Sequence, residues 1–167
     1  MKAKLIVEGK EFDIDIFDPE LQKLITPKKK TGYERLDKYS NYYAVYDNSM
    51  IVGYSETGSD MDDAYYNDAN YYSDNILAED NARADKLMRQ LRRFAVEHRV
   101  ENMRWSDSMQ FKHYIVYDCG MSLGVHHCTI TREPGVVYFD SIEAATDAIQ
   151  TFHDELIWYF TEYKDSL

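Results

Sequence analysis

A pattern of strand and helix signals occurs twice along this chain, and it limits the possible folds more than any other feature. Residues 43–53 and 114–124 share the motif Y-x-V-Y-D-x-x-M-x-x-G. In each copy a short aromatic segment follows, at residues 71–72 and 138–139, and then a serine and a long helical pattern. We therefore predict a duplicated unit of strand hairpin, aromatic strand or loop, serine cap and amphipathic helix.

The spacing of apolar residues predicts two long helices, one over about residues 74–98 and one over about residues 142–163. The apolar stripe of the first helix consists of Leu77, Ala84, Leu87, Met88, Leu91, Phe94 and Ala95. The stripe of the second consists of Ile142, Ala145, Ile149, Phe152, Leu156, Tyr159, Phe160 and Tyr163. The outer face of the first helix carries Arg83, Lys86, Arg89, Arg92 and Arg93. Trp158 falls outside its stripe, and burial against the protein's own loops is the commoner fate of such a residue, with an interface as the alternative.

The first residues predict a β-hairpin with a two-residue turn at positions 9 and 10. This turn would pair Val7 with Phe12, Leu5 with Ile14 and Ala3 with Ile16 on one face, and place Lys4 opposite Asp15 on the other. A short helix should begin at Asp18-Pro19-Glu20 and run to about residue 25, with Leu21, Leu24 and Ile25 inward. Residues 26–32 are polar and basic and contain proline and glycine, which is typical of a linker.

Hairpins followed by helices indicate an α+β fold with antiparallel sheet rather than a doubly wound parallel sheet. We predict an N-terminal hairpin and short helix in residues 1–26, a first strand-helix repeat in residues 33–98 and a second in residues 105–163. The two repeats should pack as one globular domain.

The charges of the chain are distributed in blocks. The formal net charge is −11, which argues against nonspecific binding to nucleic acid or to an anionic membrane and favours a basic partner. Lys and Arg are absent between Lys38 and Arg83, whereas the interval contains nine carboxylates. They are Asp47, Glu56, Asp60, Asp62, Asp63, Asp68, Asp74, Glu79 and Asp80. Tyrosines are interspersed with them at positions 42, 43, 46, 54, 65, 66, 71 and 72.

Carboxylates and aromatic rings on one surface could mimic a nucleic-acid backbone with its bases, because Arg and Lys side chains that bind phosphate also bind carboxylate. The plainer interpretation is a solvated acidic loop with the tyrosines in the sheet core. On the first interpretation the residues that contact a partner are Glu56, Asp60, Asp62, Asp63, Tyr65, Tyr66 and Asp68.

Sequence signatures of catalysis do not stand out. The chain contains none of the motifs GxGxxG, GxxxxGK[ST], GxSxG and HExxH. A calcium loop starting at Asp60 would fail at three of its ligand or turn positions. His126 and Cys128 would point to one face of a strand and His127 to the other, so the trio does not form a metal set. We predict no catalytic residue, cofactor or metal, and free thiols at Cys119 and Cys128 because a strand separates them.

Three segments carry a resemblance to a known group of proteins. They read KKKTGYERLDKYSNYYAVYD, ANYYSDNILAEDNARADKLMRQLRRFAVEHR and VVYFDSIEAATDAIQTFHDELIWYF, and they span most of residues 28–163. These segments resemble small uncharacterised proteins of bacteriophages and prophages, some of which act as anti-CRISPR proteins against the RNA-guided nuclease of type II-A systems. The resemblance implies a phage-encoded inhibitor in the cytoplasm of a bacterial host, and it implies nothing about catalysis.

The expected function is therefore stoichiometric inhibition of that nuclease, in which the acidic surface occupies a basic nucleic-acid channel. Two alternatives remain open. The chain could be a phage accessory or assembly protein that binds another protein through its helices and Trp158. It could also sequester a small molecule in a tyrosine-lined pocket between the repeats. The composition and the absence of an apolar run of membrane-spanning length favour a soluble, intracellular protein.

Overall fold

The computed structural model describes residues 2–7, 10–15, 17, 30–118 and 122–163. Within them the fold is α+β with antiparallel strand pairing, as predicted. The strands are β1 Lys2–Val7, β2 Lys10–Asp15, β3 Asn41–Tyr46, β4 Met50–Ser55, β5 Lys112–Asp118, β6 Ser122–Cys128 and β7 Tyr138–Phe139. The α-helices are α1 Asp60–Asn67, α2 Asn75–Glu97, α3 Ile142–Thr151 and α4 His153–Thr161.

The N-terminal hairpin forms, but its predicted register is wrong by two residues. Val7 pairs with Lys10 and Leu5 with Phe12, instead of Val7 with Phe12 and Leu5 with Ile14. A shift of two residues leaves the alternation between the two faces unchanged, because a strand alternates with a period of two. The pattern alone therefore could not separate the two registers. Lys4 faces Asp13, not Asp15, and its Nζ lies 2.7 Å from a carboxylate oxygen of Glu11. The predicted helix from Asp18 lies outside the described residues, as does most of the predicted linker.

Both halves of the chain build a hairpin whose first strand also pairs with a later aromatic segment. In the first half β3 pairs with β4, and Tyr43 of β3 forms an isolated antiparallel bridge with Tyr72. In the second half β5 lies between β6 and β7, with Tyr114 opposite Tyr138. The aromatic strand or loop of the predicted unit thus contacts the first hairpin strand in both halves. The common origin of the halves stays a prediction.

Helix α2 has the predicted bounds. Its N-cap is Asp74, whose carboxylate accepts hydrogen bonds from the backbone N–H groups of Ile76 and Leu77 at 2.7 and 3.1 Å. The predicted serine cap is therefore wrong for this helix, although Ser141 caps α3 as expected. Ser73 instead donates its hydroxyl to Glu34. The predicted apolar stripe faces the protein interior and the five predicted basic residues are exposed.

The second predicted helix is broken, because residues 142–163 form α3 and α4 with a kink at Phe152 (φ −115°, ψ 23°). Thr146 and Thr151 donate their hydroxyls to the carbonyls four residues before them, at 2.8 Å each, and such bonds bend helices. Part of the predicted stripe is exposed, since Ile142 is 49% and Phe160 39% exposed. The stripe prediction is wrong for these two residues.

Two clusters of buried residues form the core. The larger lies between α2, the β6-β5-β7 sheet, α3 and α4, and its buried members are aliphatic apart from one phenylalanine. Its buried members are Leu87, Leu91, Ala95, Phe139, Ala144, Ala145, Ala148 and Leu156. The smaller lies between the β3–β4 hairpin and α1 and consists of Tyr42, Ala44 and Tyr71. Among the described helices, none has the combination of length and apolar character that crossing a bilayer requires.

Lys112 at the start of β5 is a buried lysine with an unusual set of partners. Its side chain is fully buried, and its Nζ donates to three backbone carbonyls, those of Asp107, Gln110 and Thr129, at 2.7 to 2.8 Å. All three ammonium protons are thereby used, which offsets the cost of burying the charge. The lysine ties the loop before β5 to the segment after β6.

Candidate functional site

The acidic segment folds around α1, a helix that sequence analysis missed. Ser59 and Asp62 form a capping box in which the Ser59 hydroxyl accepts the N–H of Asp62 and the Asp62 carboxylate accepts the N–H of Ser59. The spacing Ser-x-x-Asp is a recognised signal for a helix start and could have located it. The helix holds most of the predicted contact residues on one short element.

Asp62 is buried, so its predicted contact with a partner is wrong. It is only 1% exposed, and its carboxylate accepts five hydrogen bonds. The donors are the Tyr42 hydroxyl at 2.8 Å, the N–H and hydroxyl of Thr57 at 2.9 and 2.8 Å, and the N–H and hydroxyl of Ser59 at 3.0 and 2.8 Å. The backbone amides of Ser59 and Thr57 hold the pKa of Asp62 well below its ordinary value, so the side chain is ionised. Its charge is used to fix the start of α1.

Glu56 is also buried, at 2% exposure, and the prediction that it contacts a partner is likewise wrong. Arg35 binds it in a bidentate pair, with Nε 3.1 Å and Nη2 3.2 Å from the two carboxylate oxygens. The Tyr71 hydroxyl and the Gly58 N–H donate to it at 3.0 and 2.8 Å. The Arg35 pair lowers the pKa of Glu56 below its ordinary value, and the two carboxylates beside Arg35, Glu56 first and then Asp63, raise the pKa of the guanidinium.

Arg35 is the functional residue that sequence reasoning passed over. Besides Glu56 it contacts Asp63 of α1 through Nη1, and its Cζ lies 5.6 Å from the centre of the Tyr66 ring. The base-free interval is therefore partly neutralised by an arginine just before it in the chain. Counting charges inside the interval could not show this, because the pairing joins residues that are 21 positions apart.

Among the tyrosines on and beside α1, Tyr42 and Tyr71 are buried, Tyr65 is half-buried and Tyr66 is exposed. Tyr42 and Tyr71 stack with ring centres 4.0 Å apart and planes 13° from parallel. Tyr65 is half-buried, and its hydroxyl donates to that of Tyr54 at 3.3 Å. That hydrogen bond, together with burial, raises the pKa of Tyr65 to about 12. Tyr65 is therefore mainly a packing residue, whereas Tyr66 is 41% exposed and can reach a partner.

What remains outward on this side is a compact acidic and aromatic patch, which we call the α1 surface. It consists of Asp60, Met61, Asp63, Tyr66 and Asp68, all of them exposed. Among the described residues Asp60 and Asp68 form no ion pair, and Asp63 shares Arg35 with Glu56. The α1 surface is therefore negative, and the buried network of Asp62, Glu56 and Arg35 holds it in place.

The remaining carboxylates of the interval have local roles or lie apart from the α1 surface. Asp74 caps α2, and Glu79 accepts a hydrogen bond from Asn75 at 2.6 Å. Arg83 does not pair with Glu79 but forms a bidentate ion pair with Glu155 of α4, at 2.8 and 3.1 Å. Its Cζ also lies 3.9 Å from the centre of the Trp158 ring. Trp158 is buried at 7% exposure, as expected, although its cover is a helix arginine.

The histidine and cysteine run of β6 lies where the sequence predicts, with His126 opposite Tyr114 and His127 opposite His113. Cys128 is a free cysteine whose thiol donates to the Thr131 carbonyl, while Cys119 lies outside the described residues. The described part of the chain contains no group of three or more His, Cys, Asp or Glu side chains arranged to hold a metal ion.

Two of the concave regions on the described part of the surface bear on the predicted function. A groove beside the α1 surface has a volume of about 620 Å3 and is lined by Tyr33, Tyr66, Ala69, Tyr71, Tyr72, Asn81 and Asp85. We call it the tyrosine groove. An apolar cavity of about 240 Å3 lies in the second half, between Leu87 and Leu91 of α2, Leu156 of α4 and the loop before β7. Of these two regions, the tyrosine groove has a predicted contact residue, Tyr66, in its lining.

Comparisons with known proteins give no relative. No family model matches the chain, and neither the curated proteins nor the solved structures include a significant match.

Proposed function

We propose that this chain is a stoichiometric inhibitor that binds the basic, nucleic-acid-binding region of another protein, and that its target is the RNA-guided nuclease of a bacterial type II CRISPR system. The observation that carries the proposal is the α1 surface, where Asp60 and Asp68 are exposed without an ion pair in the described residues. Carboxylates in this state can bind the Arg and Lys side chains that otherwise contact phosphates.

The buried network supports this role because it makes the surface rigid before binding. Five donors fix Asp62 and four contacts fix Glu56 at the base of α1. A surface that is already ordered loses little conformational entropy on association, and this improves affinity. A short acidic helix presented in this way can compete with a nucleic-acid strand for one stretch of a positively charged channel.

The alternative of an accessory protein that binds through Trp158 has less support. That ring is buried under Arg83 and so offers no exposed anchor. Binding through an aromatic residue of the first half is favoured instead, because Met61 and Tyr66 are 50% and 41% exposed beside the acidic side chains. Apolar and aromatic anchors surrounded by charge are typical of energetically important interface residues.

The experiment that tests the proposal measures binding of the purified chain to the guide-loaded nuclease and inhibition of DNA cleavage. The double variant Asp60→Asn/Asp68→Asn should bind about three- to tenfold more weakly, since each exposed charge contributes only a modest free energy. Its affinity should also depend less steeply on salt concentration than that of the wild type. Inhibition by the wild type should end at a fixed molar ratio.

A matched control removes the same charge elsewhere. Asp147→Asn/Glu133→Gln replaces two exposed carboxylates of the second half and should leave affinity and salt dependence unchanged. Equal effects of the two double variants would reject the α1 surface as the contact region and would show that affinity depends only on the net charge of the chain. A wild-type chain that neither binds nor inhibits the nuclease would reject the proposed target.

A further inference from the structure

The α1 surface alone is too small to account for a stable complex, which directs attention to the concave region next to it. A helix of eight residues is about 12 Å long, whereas a specific interface buries about 800 Å2 on each partner. The contact must therefore extend beyond α1. The tyrosine groove is the neighbouring concavity, and Tyr66 belongs to both.

The walls of the tyrosine groove are aromatic and well ordered. Tyr71 and Tyr72 are only 1% and 7% exposed, so the accessible ring surface of the groove belongs mainly to Tyr66 and Tyr33. Tyr66 meets the Tyr71 ring edge to face at 5.5 Å, and Tyr33 packs against Tyr72 at 5.4 Å. The amide of Asn81 donates to the Tyr33 hydroxyl at 2.7 Å and so fixes this ring. Such a wall offers π-electron density without first having to rearrange.

The charge at the rim of the tyrosine groove is negative. Asp85 of α2 is exposed, lies one helical turn after Asn81, and forms no ion pair within the described residues. Asp68 precedes the lining residue Ala69. On the α1 side, Arg35 already binds Glu56 and Asp63. An incoming positive charge would therefore meet an uncompensated carboxylate.

Aromatic rings beside a carboxylate are the combination that binds a cationic side chain. A guanidinium fits this groove better than an ammonium, because it is planar, stacks on rings and is weakly hydrated. The chain already contains this contact in two places, since Arg35 lies over Tyr66 and Arg83 over Trp158. In both cases the arginine also binds a carboxylate.

We propose that the tyrosine groove binds the guanidinium of an arginine side chain of the partner, with Tyr66 and Asp85 as its principal contacts. This inference rests on the proposed function, of which it names one specific contact. Arg35 already lies 5.6 Å from the Tyr66 ring centre, so the incoming guanidinium stacks on the part of this 41% exposed ring that lines the groove, and Asp85 accepts its N–H donors. Arginine is the residue with which proteins bind phosphate and base edges in nucleic acid, so the site matches the basic region that the α1 surface faces.

The test uses the full chain and three synthetic peptides with blocked ends, containing four arginines, four lysines or four citrullines. Citrulline keeps the planar shape of arginine and lacks its charge. Calorimetry should show the arginine peptide binding most tightly and the citrulline peptide not at all. Tyr66→Leu and Asp85→Asn should each weaken binding of the arginine peptide by about three- to tenfold.

Two controls match these variants. Tyr46→Leu removes a tyrosine of similar exposure outside the groove, and Asp80→Asn removes a carboxylate of α2 that lines a different depression. Both should bind the arginine peptide like the wild type. Because Asp85 is exposed, Asp85→Asn should fold normally, so the test does not depend on the stability of Tyr66→Leu.

The results separate this inference from the proposed function. If Tyr66→Leu and Asp85→Asn bind the peptide as tightly as the wild type, or if the citrulline peptide binds equally well, the guanidinium site is overturned. The same holds if the wild type binds no arginine peptide. In each case weaker nuclease binding by Asp60→Asn/Asp68→Asn would still support the proposed function, whereas an unchanged nuclease affinity of that variant would reject the α1 surface.

Discussion

Around the β3–β4 hairpin the buried side chains are tyrosines and carboxylates, whereas around the β5–β6 hairpin they are mainly aliphatic. Both regions have the same order of hairpin, aromatic segment and capped helix. The first region is held by directed hydrogen bonds to Glu56 and Asp62, which require each donor at its place. The second is held by apolar burial, which requires mainly the right volume.

The comparison teaches that similar backbone arrangements can be stabilised in two ways with different consequences. An aliphatic core contributes free energy and tolerates changes of shape. A polar core contributes less net free energy, but it defines the positions of α1 and of its exposed carboxylates. This explains how a segment with nine carboxylates and no base can fold and still present some of them to solvent.

The largest expected effect comes from truncating the aliphatic core. Phe139 is 1% exposed within that cluster, and Phe139→Ala should lower the free energy of unfolding by about 4 kcal/mol. Phe139→Leu, which largely preserves volume, should cost less than about 1.5 kcal/mol. Urea unfolding measures both. Ile142→Ala is the control, because Ile142 lies in the predicted stripe but is half exposed, and it should change stability by less than about 1 kcal/mol.

An intermediate effect is expected from a change that keeps shape in the polar core. Glu56→Gln retains the size of the side chain but removes the charge opposite Arg35 and turns an amide donor toward other donors. We expect a loss of about 2–3 kcal/mol in urea unfolding. Glu79→Gln changes an exposed carboxylate of α2 and should stay within about 0.5 kcal/mol. A Glu56→Gln variant as stable as wild type would remove the distinction between the two cores.

The smallest effect on stability at neutral pH is expected from Glu34→Gln. The Glu34 carboxylate accepts hydrogen bonds from Thr31, Gly32 and Ser73. The Thr31 backbone N–H above all lowers the pKa of Glu34 from 4.5 to about 2. The stabilisation from its ionised form is therefore complete above about pH 4.5 and is lost as the pH falls through 2. Glu34→Gln keeps an acceptor but does not titrate.

Stability measured between pH 5 and pH 2 tests this prediction. The Glu34→Gln variant should take up about one proton fewer on acid unfolding than the wild type, so its stability should fall less steeply. Glu133→Gln, an exposed carboxylate of the second half, should leave the slope unchanged. Parallel curves for wild type and Glu34→Gln would contradict the assigned pKa.

Local signals in the sequence predicted much of this fold. The alternation of residue types along the strands predicted the hairpins. The spacing of apolar residues predicted both ends of α2 to within one residue. The kink at Phe152 could not be predicted in the same way, since neither glycine nor proline marks it. The hydroxyls of Thr146 and Thr151 bond to backbone carbonyls before the kink, and such bonds bend helices, but the sequence alone does not show whether a threonine forms one.

The candidate site was predicted only in part. The pattern of charge pointed to Asp60, Asp63, Tyr66 and Asp68, which are exposed, but it placed Glu56 and Asp62 outside as well. Formal charge counts carry no information on burial, and the donors that permit burial come from β3, the loop after β4 and Arg35. A tertiary arrangement decides which carboxylates remain at the surface.

The three carbonyls around Lys112 should make its amine less reactive than the amines of the exposed lysines. An acylating reagent needs an uncharged nitrogen with a free lone pair, and this nitrogen has every proton engaged and no solvent contact. Lys112 would thus become modifiable only when the β5–β6 region opens. The rate at which Lys112 is acylated would therefore report the rate of that opening, and mass spectrometry of the one peptide that contains Lys112 would measure it.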